Sequence, residues 1–272
     1  MGTDTRERLA ALLDQAEIVA GLKSPRRDIR EPGRRQKEAA EGRLLRLVLR
    51  HLRGQRARLL DYLAHMPPLR PAKAAYPIPD AVWADDEFEA ALVTLLMTAT
   101  EEGASLAQLG ITLDYSLINK DAAKWARTQA ARLVKDMDAT SQAALQEQIV
   151  TFVETEGYTI GQVEQALAPL FGEERATRVA ITEITNTYAH GEILAGQRMK
   201  DDFPDVRVIK TWHSSNDERV CFICAPLDGK SVDIDSGWGV DGEDDPNGIV
   251  TPAAHIGCRC WISTRTDILG EH

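Results

Sequence analysis

The sequence predicts an α+β protein, with mostly helical N-terminal and middle regions and a small C-terminal β unit stapled by zinc. Apolar residues recur at helical spacing up to about residue 200. After residue 203 the pattern changes to that of β-strands. All four cysteines lie in the last 52 positions together with His255, with the spacing of a four-ligand metal site.

We interpret residues 1–66 as a helical basic arm. A short helix is predicted over 5–22 and a long one over 34–66, because Pro67 and Pro68 cannot continue a helix. Thirteen basic residues oppose only four acidic ones between positions 23 and 58, although the chain carries a net charge of −10. This asymmetry indicates an anionic partner, either nucleic acid or an acidic protein surface, or simply a solvated helix face. The candidate DNA contacts are Arg26, Arg27, Arg30, Arg34, Arg35, Arg43, Arg46, Arg50 and Arg53.

A proline-rich linker over 67–80 separates this arm from a second region, 81–272, because dense proline favours extended backbone. Helical periodicity and capping residues predict that the second region begins with a series of helices, which we call the helical lead-in. The predicted helices cover 85–109, 119–137, 141–157, 159–171 and 173–199. The fourth opens with a capping box from Thr159 to Gln162.

The β part spans about 204–266. Alternating or β-rich segments predict strands over 206–212, 230–234 and 258–264. An acidic, glycine-rich loop over 235–248 joins the last two strands. The sequence therefore predicts a sheet too small to have a large core of its own.

The candidate metal ligands fall in two groups, Cys221 with Cys224 and His255 with Cys258 and Cys260. The N-terminus lacks the apolar core of a signal peptide, and the longest apolar stretches are too short to cross a bilayer. We therefore expect folding in a reducing cytoplasm, where clustered cysteines favour a metal over disulfides. A closed Cys/His shell leaves no position for substrate, so the zinc is expected to be structural.

Five candidates compete for four ligand positions. Cys221, Cys224, His255 and Cys258 repeat the same two-residue gap. If residues 258–260 form a strand, Cys258 and Cys260 point to one face, and an all-cysteine site is also open. Arg259 would then be free to pair with Asp217.

Two other functions fit parts of the pattern. His190-Gly191-Glu192 followed by the Cys221 and Cys224 pair is similar to the signature of zinc nucleobase deaminases. However, Val220 replaces the proline of that signature, and Cys258 and Cys260 are left without a role. The other alternative is a free-standing DNA-binding zinc module, whose binding would be strongly salt-dependent.

Several short motifs follow one another in the last hundred residues. They are R-A-T-R-V-A-I-T-E-I from Arg175, K-T-W from Lys210, D-E-R-V-C-F-I-C from Asp217, L-D-G-K from Leu227 and P-A-A-H-I-G-C-R-C from Pro252. Their order and spacing resemble the phage Mu F-like minor head protein family. Ile256 stands where that family usually has proline, and His190 where it often has asparagine. Residues 1–80 show no firm match.

The resemblance implies a phage minor head protein that is not an enzyme. Such proteins associate with the portal vertex, act in capsid assembly and in DNA packaging or delivery, and are carried in the virion. The expected partners are the portal protein and other head proteins, and packaged DNA is a further candidate through the basic arm. The expected location is the virion head, with the host cytoplasm during assembly and no membrane.

Overall fold

A computed structural model describes residues 31–65, 78–107, 115–155, 159–215, 217, 220–239 and 242–268. The predicted helix over 5–22 and most of the proline-rich linker lie outside these residues. Five α-helices lie in the described ranges: α1 Arg34–Ala64, α2 Asp86–Leu106, α3 Tyr115–Glu154, α4 Ile160–Leu167 and α5 Glu173–Asp202. The predicted α+β class is confirmed. None of the described helices is long and apolar enough to cross a membrane.

The helix boundaries follow from identifiable sequence signals. Helix α1 begins at Arg34 and ends at Ala64, close to the predicted limits, and buries Leu44, Val48 and Leu52 completely. The capping box of α4 is confirmed. The Thr159 hydroxyl accepts from the Gln162 backbone N–H at 3.3 Å, and the Gln162 side chain accepts from the Thr159 N–H at 2.8 Å.

The predicted break between residues 137 and 141 is wrong, because α3 runs without interruption from Tyr115 to Glu154. The Thr140 and Ser141 hydroxyls donate to the carbonyls four residues earlier, at 2.8 and 3.0 Å. Their side chains therefore bond inside a continuing helix rather than cap a new one. No glycine or proline occurs between positions 115 and 154 to end the helix.

Three strands form an antiparallel sheet with the order β2-β1-β5. They are β1 Val206–His213, β2 Ser231–Asp233 and β5 Trp261–Ile268. Lys210 pairs with Val232 on one side and with Thr264 on the other, so β1 is the central strand. Its residues Val208, Lys210 and Trp212 are fully buried.

Two expectations for the β part need correction. The third strand begins at Trp261 and not at Cys258, so the cysteine pair precedes it in irregular backbone. The segment predicted as a loop over 235–248 contains a two-stranded ribbon, β3 Gly237–Trp238 with β4 Asp244–Asp245. Such short strands are too brief to give a periodic signal.

The chain divides into two compact units. The helical unit comprises Gly42–Leu95 and Ala126–Ala180. Its side-chain hydrogen bonds include one between His51 and Asp85 at 2.8 Å and one between Arg56 and Glu164 at 2.5 Å. The sheet unit comprises Met1–Glu41, Leu96–Trp125 and Ile181–His272. The predicted boundary at the linker stays a prediction.

Two helices of the sheet unit cross with their backbones in contact. A Cβ placed on Gly191 of α5 would lie 2.1 Å from the Thr100 carbonyl oxygen, and one on Gly103 of α2 would lie 2.3 Å from the Tyr188 carbonyl oxygen. Only glycine permits such an approach. Gly191 of the His190-Gly191-Glu192 segment is therefore a packing residue.

Candidate metal centre

The sheet supports the cysteine cluster through two buried tryptophans and a buried lysine. The rings of Trp212 and Trp238 meet edge to face, with centroids 5.2 Å apart. The Lys210 ammonium lies 4.9 Å from the Trp238 ring centre and donates to the Val250 carbonyl at 3.0 Å. Burial lowers the pKa of Lys210 to about 8. Lys210 thus fixes the segment that leads into the second ligand loop.

The first ligand pair lies on a tight turn. The N–H groups of Cys224 and Ala225 donate to the Cys221 carbonyl at 3.1 and 2.9 Å. This turn brings two side chains separated by two residues to one point. The predicted role of the C-x2-C spacing agrees with this geometry.

The second ligand loop repeats the arrangement. The Cys258 N–H donates to the His255 carbonyl at 3.2 Å, and Gly257 between them has a φ of +78°, which favours glycine. The Gly257 N–H donates to the Thr182 hydroxyl at 2.8 Å, and the Thr251 hydroxyl donates to the Asn186 side-chain oxygen at 2.9 Å. Helix α5 therefore anchors this loop at two places.

The candidate ligands form two overlapping groups. The ligand atoms of Cys221, Cys224 and His255 lie within 4.8 Å of one another, as do those of Cys224, Cys258 and Cys260. The Cys224 and Cys258 sulfurs are 3.8 Å apart. A tetrahedral zinc with Zn–S bonds of about 2.3 Å has an edge of about 3.8 Å. The four cysteines are thiols rather than disulfides, so the donor set fits a metal ion.

Protons are shared across this cluster. Hydrogen bonds with the Cys221 and Cys258 sulfurs raise the pKa of His255 to about 10. Hydrogen bonds with Cys224 and His255 lower the pKa of Cys221 to about 4. Hydrogen bonds with Cys224 and Cys260 lower the pKa of Cys258. Hydrogen bonds with Cys221 and Cys258 raise the pKa of Cys224. The cluster therefore favours thiolates at Cys221 and Cys258 and a thiol at Cys224, and a metal ion would replace the shared protons.

Cys260 differs from the other candidates in its neighbours. It contacts Cys224 and Cys258, and it lies beside the indole N–H of Trp212. That buried N–H has no hydrogen-bond partner among the described residues. His255, in contrast, contacts Cys221 as well as Cys258.

A bidentate ion pair joins the two segments that carry the candidate ligands. Arg259 donates to both carboxylate oxygens of Asp217, at 2.6 and 2.9 Å, and each side chain is about one-third exposed. The predicted pairing is confirmed. The Asp228 carboxylate accepts from the Ser214 N–H at 2.9 Å. This hydrogen bond joins residues that precede and follow the Cys221–Cys224 turn in the sequence.

Sequence reasoning assigned no role to Lys210, Thr182 or Asn186. Lys210 and Thr182 stand in the quoted motifs, but motifs do not show whether a side chain is buried. A lysine in the middle of an apolar strand was the only available signal. The anchoring contacts of Thr182 and Asn186 join residues about 65–75 positions apart, and one sequence shows no such pairing.

The residues of the deaminase alternative belong to other surroundings. His190 stacks on Trp125 with ring centroids 4.3 Å apart, and burial lowers its pKa to about 4. Glu192 is buried near Glu31 and Lys37, and burial raises its pKa. Neither residue belongs to the metal-capable groups found among the described residues. The geometry therefore does not support a catalytic site built from them.

Comparison with known proteins agrees with the motifs. Residues 150–263 match the family described as Phage Mu protein F like protein. All five candidate ligands lie inside the matched region. No curated protein and no solved structure matches the chain.

Proposed function

We propose that the chain is a minor head protein at the portal vertex, where it acts in capsid assembly and in DNA packaging or delivery. The family match over residues 150–263 supports a role in phage head morphogenesis. The portal protein and other head proteins are the proposed partners, and the virion head is the proposed location. The single observation that carries the proposal is the placement of all five ligand candidates within the matched region.

Within this role, the proposed ligands of one structural zinc ion are Cys221, Cys224, His255 and Cys258. These four residues form a closed ring of neighbours, since His255 contacts Cys221 and Cys258 while Cys224 contacts the same two cysteines. Three sulfurs and one imidazole nitrogen suit zinc. The His255 Nδ1 lies 3.0 Å from the Ile256 carbonyl, so Nδ1–H can donate there and leave Nε2 for the metal.

The proposed zinc holds two loops and does not catalyse. Four protein ligands fill a tetrahedral shell, so no position remains for water or substrate. When bound, the ion supplies cross-linking between the 221–224 turn and the 255–258 loop. The chain's own residues Lys210, Thr182 and Asn186 orient the second loop toward that position.

Quantitative mass spectrometry of DNA-filled particles from the producing strain tests the head-protein proposal. We expect a few copies of this chain for each portal assembly, because the portal protein limits the copy number of a protein that binds at the vertex. Assembling proheads serve as the matched sample. Absence of the chain from both filled particles and proheads would contradict the proposal.

A further inference from the structure

One face of helix α1 carries a row of arginines. Arg43, Arg46, Arg50 and Arg53 are all exposed, and all lie within the helical unit. At 100° per residue they fall within an arc of about 80°, and at 1.5 Å per residue they span about 15 Å. We call these four residues the arginine face. The opposite side of the helix is buried through Leu44, Val48 and Leu52.

Other basic residues of the same helix have structural partners. Arg56 pairs with Glu164 at 2.5 Å, and Arg58 donates to the Val82 carbonyl at 2.9 Å. Lys37 is buried against Glu31 at 2.7 Å. The structure therefore divides the basic residues of α1 into those that hold the fold and those that point outward.

Three residues of the arginine face, Arg46, Arg50 and Arg53, have no acidic residue close to them along the helix. No acidic residue occurs between positions 42 and 60, although the whole chain has a net charge of −10. Within the described part of the chain, Arg46, Arg50 and Arg53 form no ion pair. On a protein that is acidic overall, such a concentrated positive face in the described part of the chain is a favourable place for a polyanion to approach.

We propose that the arginine face binds the phosphate backbone of double-stranded DNA without reading its sequence. Phosphates of one strand follow one another about every 3.4 Å along the duplex axis, so about four of them span the 15 Å of the face. Guanidinium groups bind phosphates through paired hydrogen bonds. The face lies outside the matched region 150–263.

The composition of the face favours duplex DNA over single-stranded DNA and over an acidic protein surface. The exposed positions of α1 from 42 to 64 carry only arginine, alanine and one aspartate, Asp61. Single-stranded DNA is bound by aromatic side chains that stack on bases, and none is exposed there. Protein interfaces are anchored by buried aromatic or aliphatic side chains, which are also absent from these exposed positions.

This inference rests on the proposed function for the source of the DNA, whereas the binding is tested on the purified full-length chain. Fluorescence anisotropy with a labelled duplex of arbitrary sequence measures affinity as salt rises from 50 to 200 mM. Four phosphate contacts predict a loss of affinity on the order of 100-fold over this range. Replacing all four face arginines by glutamine should abolish most of this salt dependence and leave binding weak throughout. Glutamine keeps the helix propensity close to that of arginine.

A charge-matched control removes four positive charges elsewhere on the helical unit. Its substitutions are Arg127→Gln, Arg132→Gln, Lys135→Gln and Arg178→Gln, all at exposed positions. We expect this control to retain the native salt dependence.

Equal losses in both variants would overturn the proposal, because net charge and not the face would then govern binding. A native chain that does not bind duplex DNA would also overturn it and would favour an acidic protein partner. Circular dichroism verifies that both variants remain helical.

Discussion

Replacement of Cys224 by serine is expected to unfold the β part of the sheet unit, residues 204–268. Cys224 belongs to both groups of candidate ligands and its side chain is buried. Structural zinc contributes about 10–16 kcal/mol of apparent binding free energy in small zinc-folded units. That is comparable to the total stability of a typical domain, about 5–15 kcal/mol. Loss of one ligand should therefore remove the sheet over 206–268, while the helical unit keeps its helices.

Limited proteolysis and circular dichroism measure this result. We expect new cleavage within 204–268 and a protected fragment from the helical unit. Cys260→Ser is the matched control, because the same atoms change at a buried cysteine proposed to lie outside the ligand shell. It should keep the native cleavage pattern. A Cys224→Ser chain with native resistance in 204–268 would contradict a structural metal.

Gly191→Ala is expected to destabilise the protein by about 3 kcal/mol, at the upper end of overpacking effects. The new methyl group would lie 2.1 Å from the Thr100 carbonyl oxygen and 2.6 Å from the Ala104 nitrogen. Both atoms are backbone of α2, so a side-chain rotation cannot relieve the contact. The two helices must separate, and we expect the melting temperature to fall by roughly 10 °C.

Gly42→Ala provides the opposite result from the same chemical change. Gly42 lies in the interior of α1, and its added Cβ would meet only the end of the flexible Arg46 side chain, at 3.5 Å. Alanine should stabilise the helix by about 0.5–1 kcal/mol. Thermal melts of both variants measure the contrast. A Gly191→Ala variant that melts at the native temperature would show that α2 and α5 are not in backbone contact.

The helices and the ligand candidates were predictable because local chemistry determines them. The apolar stripe of α1, the capping box at Thr159 and the two-residue cysteine gaps each lie within a few positions of sequence. The false break near Thr140 arose because a hydroxyl that caps a helix in one context bonds to the preceding turn in another. Sequence alone does not decide between these two bonds.

Long-range relations account for what the sequence did not reveal. The burial of Lys210 depends on the Val250 carbonyl forty residues later and on the Trp238 ring. The choice between His255 and Cys260 depends on which sulfurs each one contacts, and spacing permitted both. The separation of Arg46 and Arg50 from Arg56 and Arg58 likewise required the positions of Glu164 and Val82.

Native mass spectrometry of the purified chain counts the bound zinc ions and so tests the proposed ligand shell. We expect one zinc per native chain, one zinc in Cys260→Ser and none in Cys258→Ser. Both cysteines are buried and lie two positions apart, so the pair separates ligation from burial. A native chain without zinc, or loss of the ion in Cys260→Ser with retention in Cys258→Ser, would contradict the proposed ligand shell.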